Sequence, residues 1–293
     1  STDGCFKVFR DYAANPAGIG YALENRIVIS RVFSELYHAT QIRRLAPFFH
    51  AFHQSLTERA PKQKEDPGIV LLSPGPDCRT YFEHALLSRY LGYPLVEGQD
   101  LTVRNGEAFL KKLAGLEPVD VIYRHVRDHD SDPFTLRQAT GRGVAGLIQA
   151  LREGQVDVAS PIGCGFVETP ALSVFLPQLC RQLMAAEPLL ESHPTWWCGT
   201  EVGRNHVLAN PDQLTVQWAM ERSPLTMPED LMAAIDAAPH LYMATAPIQP
   251  ATVPAWNRGA IEPHYALFRV FVCATADGFA VMPGGLGVTA TDV

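Results

Sequence analysis

The chain has 293 residues, of which 47% are hydrophobic and 19% charged, and a formal net charge of -7. This balance reads as a folded chain of two or three lobes rather than a disordered one. The acidic surplus argues against a nucleic-acid partner, and the lack of a long unbroken apolar run argues against a membrane span. No basic segment opens the chain as a signal peptide would: Ser1-Thr2-Asp3-Gly4 reads as a turn. The six cysteines (Cys5, Cys78, Cys164, Cys180, Cys198 and Cys273) are scattered without a CxxC pair. They are expected as free thiols in a reducing cytoplasm, not as a zinc site.

Taken in chain order, Cys5–Phe9 predicts a strand. Tyr21–Tyr37 carries Leu23, Ile27, Val28, Val32, Phe33 and Leu36 near a 3.6-residue period and predicts one amphipathic helix. A second helix is expected over Pro47–Leu56, and the polar Thr57–Pro67 reads as a linker. Gly68–Ser73 is a short apolar run typical of a buried parallel strand. Phe82–Tyr90 predicts a helix, Pro94–Glu97 and Asp120–Tyr123 predict strands, and the alternation predicts a βαβ, Rossmann-like lobe. Gly143–Glu153 and Pro170–Met184 read as helices around a strand at Val156–Ala159. Further on, Val202–Ala209 and Pro228–Ala238 read as helices and Gln213–Trp218 and Leu241–Thr245 as strands. The proline-rich Thr245–Asn257 reads as a loop. Leu267–Ala274 and Phe279–Met282 predict a hairpin that ends at Pro283-Gly284-Gly285. Asp3-Gly4 reads as a hairpin turn with no strand before it, so a fragment of a longer protein is expected.

Two places have the makings of chemistry. In Asn15–Arg26, the Pro16-Ala17-Gly18-Ile19-Gly20 turn runs into a helix start, where backbone N–H groups suit an anion. Asp77, Arg79, Tyr81 and Glu83 follow the first parallel strand, and Arg124 follows a neighbouring one. Ligands of α/β sheets bind at that carboxyl edge, and an arginine there suits a carboxylate. A structural ion pair between Glu83 and Arg124 is the alternative.

The stretch Asn15–Arg26 resembles the PSGxGYALENR segment of the circularly permuted ATP-grasp proteins, relatives of glutathionylspermidine synthetase. Ser73–His84 resembles that family's TPGPxxxxYFEH, and Leu95–Leu101 its LVEGxDL. Val119–Arg124, Pro194–Gly199 and Val281–Leu286 resemble VDVIYRR, PTWWCG and VMPGGL, in the same order along the chain. The resemblance implies an α/β fold, a circularly permuted ATP-grasp with a Rossmann-like substrate lobe. It implies a first piece of the catalytic lobe over 1–66, the Rossmann-like lobe over 67–200, and the nucleotide lobe with returning catalytic strands over 201–293.

The resemblance also implies ATP and Mg²⁺ as cofactors, and a ligase that joins a carboxylate of peptide or amino-acid type to an amine through an acyl phosphate. An alpha-E or transglutaminase-like domain is the expected partner. Residue by residue, Asp11 falls at a metal position. Gly18, Gly20, Gln217 and Arg269 fall at cofactor positions, and Asn25, Arg26 and Arg269 at catalytic ones. Asp77, Tyr81, Glu83 and Arg124 fall in the substrate lobe. The chain departs from the pattern where Gln217 replaces the phosphate lysine and Ala246 the hinge acid. Arg10 and Tyr12 flank Asp11 where relatives carry Glu and Asn, Val288 replaces an arginine, and Ala219–Pro228 holds no glycine-rich flap. One lost electrostatic contact costs roughly 3–4 kcal/mol of transition-state stabilisation. The departures therefore open a second reading, a degenerate pseudoenzyme that serves as a binding or scaffold module.

Overall fold

The computed structural model describes residues 4–62, 64–136, 141–221, 226, 228–248 and 250–290. In chain order its elements are β1 (Lys7–Val8), α1 (Ile19–Val32), α2 (Ser34–Ala39), α3 (Ala46–Glu58), β2 (Ile69–Leu72), α4 (Tyr81–Leu91) and β3 (Leu95–Val96). They continue with β4 (Leu101–Arg104), β5 (Glu107–Lys112), β6 (Gly115–Val119), β7 (Val121–Arg124), α5 (Leu147–Arg152) and β8 (Asp157–Ala159). After these come α6 (Leu176–Met184), β9 (Glu191–Ser192), β10 (Thr195–Trp197), α7 (Glu201–Ala209), β11 (Thr215–Trp218) and α8 (Leu231–Ala237). The last four are β12 (Tyr242–Thr245), β13 (Thr252–Asn257), β14 (Ala260–Thr275) and β15 (Gly278–Ala290). The class is α/β, as the sequence predicts.

The chain divides into two compact units. One comprises Ser1–Tyr12, Gly165–Leu267 and Thr289–Val293; the other comprises Ala13–Cys164 and Phe268–Val288. The sequence boundary at 66/67 falls inside the second unit, and that at 200/201 inside the first.

The second unit is built on a four-stranded parallel sheet in the order β3-β2-β7-β8. All four residues of β2 and of β7 are buried. Strands covered on both faces read as unbroken apolar runs, which is why Ile69–Leu72 is legible in the sequence. One side of the sheet packs on α1, α3 and α4 through Leu23, Phe49, Leu56 and Leu87. The other side packs on α5 and the β4–β5–β6 meander through Val96, Leu110, Leu147 and Val158. This meander is not among the elements expected from the sequence. Its signal is Asn105-Gly106, with both residues at positive φ (51° and 80°), the conformation a two-residue hairpin turn requires.

The first unit holds the antiparallel sheet β10-β12-β11, whose core is Cys198, Val207, Ile235, Tyr242 and Ala244. In it β1 also pairs in parallel with β9.

Four expectations are corrected. The single helix over Tyr21–Tyr37 is two, broken at Phe33 (φ -119°, ψ 50°). Val32, Phe33 and Leu36 point outward, so no packed surface holds the two helices in line. Val28, read with Leu23 and Ile27 as part of the periodic apolar face, is 45% exposed. Thr252–Asn257, read as loop, is β13, paired with the start of β14. Pro283-Gly284-Gly285 does not end the hairpin, because β15 runs through it to Ala290. Gly285 answers to crowding instead: a Cβ there would fall 2.5 Å from the Arg269 carbonyl. The segment compared with the glycine-rich flap lies partly outside the described residues, at 222–225 and 227, and so do Ser1–Asp3 of the opening turn.

Candidate functional site

In the second unit, the helix start at Gly18 is already occupied by an anion, the protein's own Glu83. Gly18 sits at φ 111° as the N-cap of α1. The Gly18 and Gly20 N–H groups both donate to Glu83 Oε1, at 2.7 and 2.9 Å. Glu83 is buried on the first turn of α4. Burial raises its pKa above the ordinary carboxylate range, while the N–H groups of Gly20 and Gly18 and the Arg269 guanidinium oppose that rise. Arg269 Nη1, from β14, donates to the Ala17 carbonyl. Glu83, Arg269 and Gly18–Gly20 thus form one latch on the turn, and the expectation of free N–H groups there is corrected.

Arg124 ends β7 with its side chain fully buried. It donates to the carbonyls of Val126 (2.6 Å), Ser160 (3.0 and 3.1 Å), Pro161 (3.2 Å) and Ala14 (3.3 Å), and pairs with Asp128 at 2.7 Å. Its ion-pair partner is therefore Asp128 and not Glu83. The guanidinium gathers three loops at the carboxyl edge of the sheet. Asp77 lies exposed on the loop after β2, and Tyr81 opens α4 half-buried. Asn25 is exposed on α1, whereas Arg26 is half-buried and donates to the Arg43 carbonyl at 2.6 Å.

The sequence reading did not assign roles to His84 and His125. Both are buried at the same edge with ring centroids 4.3 Å apart. Burial holds His84 down to about 4, and holds His125 well below the ordinary histidine value. The readable signal was position: His84 closes the YFEH motif, and His125 follows a buried strand directly.

In the first unit, a cavity of about 360 Å³ is lined by Arg10, Asp11, Thr169, His193, Thr195, Gln217 and Thr245 together with Val8, Val216 and Met243. The fold brings Asp11 and Gln217, far apart in sequence, to one wall system: Gln217 stands on β11 and Thr245 ends β12 beside it. Arg10 lies over the rings of Phe9 and Tyr12, at 5.5 and 6.0 Å. No group of three or more His, Cys, Asp or Glu that could hold a metal occurs among the described residues. Mg²⁺ bound with a nucleotide keeps several waters and takes as few as one carboxylate from the protein. Asp11 meets that minimum, while the cationic Arg10 and the apolar wall suit a nucleotide.

The mixed α/β architecture, with parallel and antiparallel sheets, is consistent with a circularly permuted ATP-grasp. The chain belongs to the circularly permuted ATP-grasp type 2 family, whose family model matches residues 1–290. It is 36% identical over 292 residues to Rv2567 of Mycobacterium tuberculosis, covering 97% of this chain and 33% of that protein. It is 31% identical to Rv2411c of the same organism, covering 53% of it, and 31% identical to sll0335 of Synechocystis, covering 62%. The chain thus spans between about a third and just under two thirds of these relatives, whose own functions are uncharacterised. No helix among the described residues is long and apolar enough to cross a membrane.

Proposed function

We propose that the chain is the ATP-grasp part of a carboxylate–amine ligase whose nucleotide pocket is the cavity beside β11 and β12. The observation that carries this reading is that Asp11 and Gln217, the metal and phosphate positions by family resemblance, line one cavity together with Thr245, the residue before the hinge position Ala246. Asp11 would hold Mg²⁺, Gln217 and Arg10 would face the phosphates, and Val8, Val216 and Met243 would cover the base. When bound, ATP supplies the phosphoryl group that activates a carboxylate.

The substrate, of peptide or amino-acid type, belongs at the carboxyl edge of the parallel sheet by the rule for α/β sheets. Asp77 and Tyr81 are the side chains there for contact with it. Glu83, Gly18, Gly20 and Arg124 are positioning residues in this reading, because their polar groups already bond protein atoms. Arg269, Arg26 and Asn25 are proposed for the catalytic lobe, with Arg269 acting through its hold on Ala17.

One observation favours the second reading, a pseudoenzyme: Gln217 puts a neutral amide where the family pattern has a lysine. Isothermal titration with ATP and Mg²⁺, together with single-turnover release of ADP in the presence and absence of a dipeptide whose carboxylate can accept the phosphoryl group, separates the two. Weak binding with slow, Mg²⁺-dependent ADP release supports the ligase, binding without release supports the pseudoenzyme, and no binding removes the nucleotide pocket.

A further inference from the structure

The buried histidines are independent of the nucleotide reading, and their hydrogen-bond partners bear on their tautomers. The Gly75 N–H donates to Ser73 Oγ at 3.2 Å, and His84 Nδ1 lies 2.9 Å from that oxygen, placed to take up the hydroxyl proton. With Nδ1 accepting, the proton of neutral His84 sits on Nε2. Asn15 Nδ2 donates to the His125 carbonyl at 2.9 Å, which turns Asn15 Oδ1 toward His125 Nδ1 at 3.2 Å. His125 therefore carries its proton on Nδ1 and presents a lone pair at Nε2. Both Nε2 atoms are buried without a hydrogen-bond partner. One is a donor, the other an acceptor, and leaving a buried polar atom unpaired is unfavourable.

Their place in the fold is also particular. His84 bonds Ser73, the residue after β2, and the His125 N–H donates to Leu72 O at 2.8 Å. From β2 the chain runs first to β3 on one side and later to β7 on the other. The pair therefore stands at the topological switch point, on the carboxyl side of the sheet, where open α/β sheets bind ligands.

We propose that His84 and His125 form a seat for a single hydroxyl group, which accepts from His84 Nε2–H and donates to His125 Nε2. An anion would meet the His125 lone pair, and a metal cation would meet the His84 proton. A hydroxyl, from a trapped water or from an alcohol of a bound ligand, satisfies both nitrogens at once.

The first test is a long-range ¹H–¹⁵N NMR spectrum of the whole chain at pH 7. His84 should appear protonated at Nε2 and His125 at Nδ1, both neutral and unchanged at pH 5.5. Reversed tautomers, or an imidazolium signal from either ring at pH 7, overturn the seat. The second test is crystallographic. An additive-free crystal should show one oxygen within about 3.2 Å of both Nε2 atoms, and its absence overturns the proposal. A parallel soak with the dipeptide Gly-Ser separates the sources: a seryl oxygen in place of the water shows a ligand hydroxyl seat, and an unchanged oxygen shows a resident water. His84→Gln and His125→Gln, which each keep one partner type, should retain the oxygen, whereas His125→Phe should lose it. If His125→Phe does not fold, an oxygen missing from both glutamine variants is the overturning result.

Discussion

At the scale of single residues, Glu83 carries the most structural consequence. Its Oε1 atom receives two buried N–H groups from the turn that starts α1. Glu83→Ala leaves both without an acceptor, at about 1–3 kcal/mol each. Glu83→Gln keeps an acceptor oxygen in place and should cost less than half as much in urea denaturation. Gly18→Val should be severe. The residue sits at φ 111°, and an added Cβ would meet Arg269 Nη1 and Phe271 Cζ at 3.2 Å. Backbone strain of roughly 1–3 kcal/mol then adds to overpacking of similar size, and a thermal melt of the variant reads the sum. The histidine pair sets a pH dependence. His84 titrates near 4 in the folded chain against an ordinary value of 6.5, and His125 is displaced the same way. Between those values the unfolded chain binds protons that the folded chain does not. Stability is therefore full above about pH 6.5 and is lost as pH falls toward 4, by on the order of 3 kcal/mol for His84. Glu83, raised above its ordinary 4.5, works in the opposite direction over the upper part of that window, but two histidines oppose one carboxyl. Melts at pH 7.5, 5.5 and 4.5 should fall in that order, and a flat profile would contradict the buried neutral pair.

At the scale of elements, Arg124 decides how the loops at the carboxyl edge are held. Its donors reach carbonyls at Ala14, Val126, Ser160 and Pro161, so three separate segments share one guanidinium. Arg124→Ala should destabilise by about 3–5 kcal/mol, because it leaves the Asp128 carboxylate and several carbonyls without their cation. Arg124→Lys should recover only part of this loss, since one ammonium cannot span the fork of contacts. Faster hydrogen exchange in residues 13–16 and 160–163 of the lysine variant would mark the loosened loops. Exchange confined to β7 would show that the guanidinium serves the strand alone.

At the scale of the whole chain, the family frame persists while Gln217 and Arg10 in the cavity differ from its pattern. Gln217 stands on β11 and lines the cavity, at the position where the family resemblance implies a lysine. Gln217→Lys should tighten ATP binding by about tenfold or more, in line with the 1.5–3 kcal/mol of a charged hydrogen bond. The effect should shrink as salt rises. Titration calorimetry of the two chains side by side measures it. An unchanged dissociation constant would move the phosphates away from β11.

The buried strands β2 and β7, the helices α3, α4 and α7 and the ordered family motifs were legible in the sequence. Continuous apolar runs, helical periodicity and turn residues are local properties, and they survive without knowledge of partners. The break at Phe33 and the passage of β15 through Pro283-Gly284-Gly285 were not legible, since each depends on what the segment packs against. The site divides the same way. Its residue types could be read along the chain, including the glycine turn, Glu83, Arg124 and Asp11. Only the tertiary structure decided that Glu83 fills the turn's N–H groups, that Arg124 pairs with Asp128, and that Asp11 and Gln217 share a cavity. Hydrogen bonding and burial join residues dozens to hundreds of positions apart, as with Asn15 and His125. No local pattern records which donor will meet which acceptor once the chain has closed on itself.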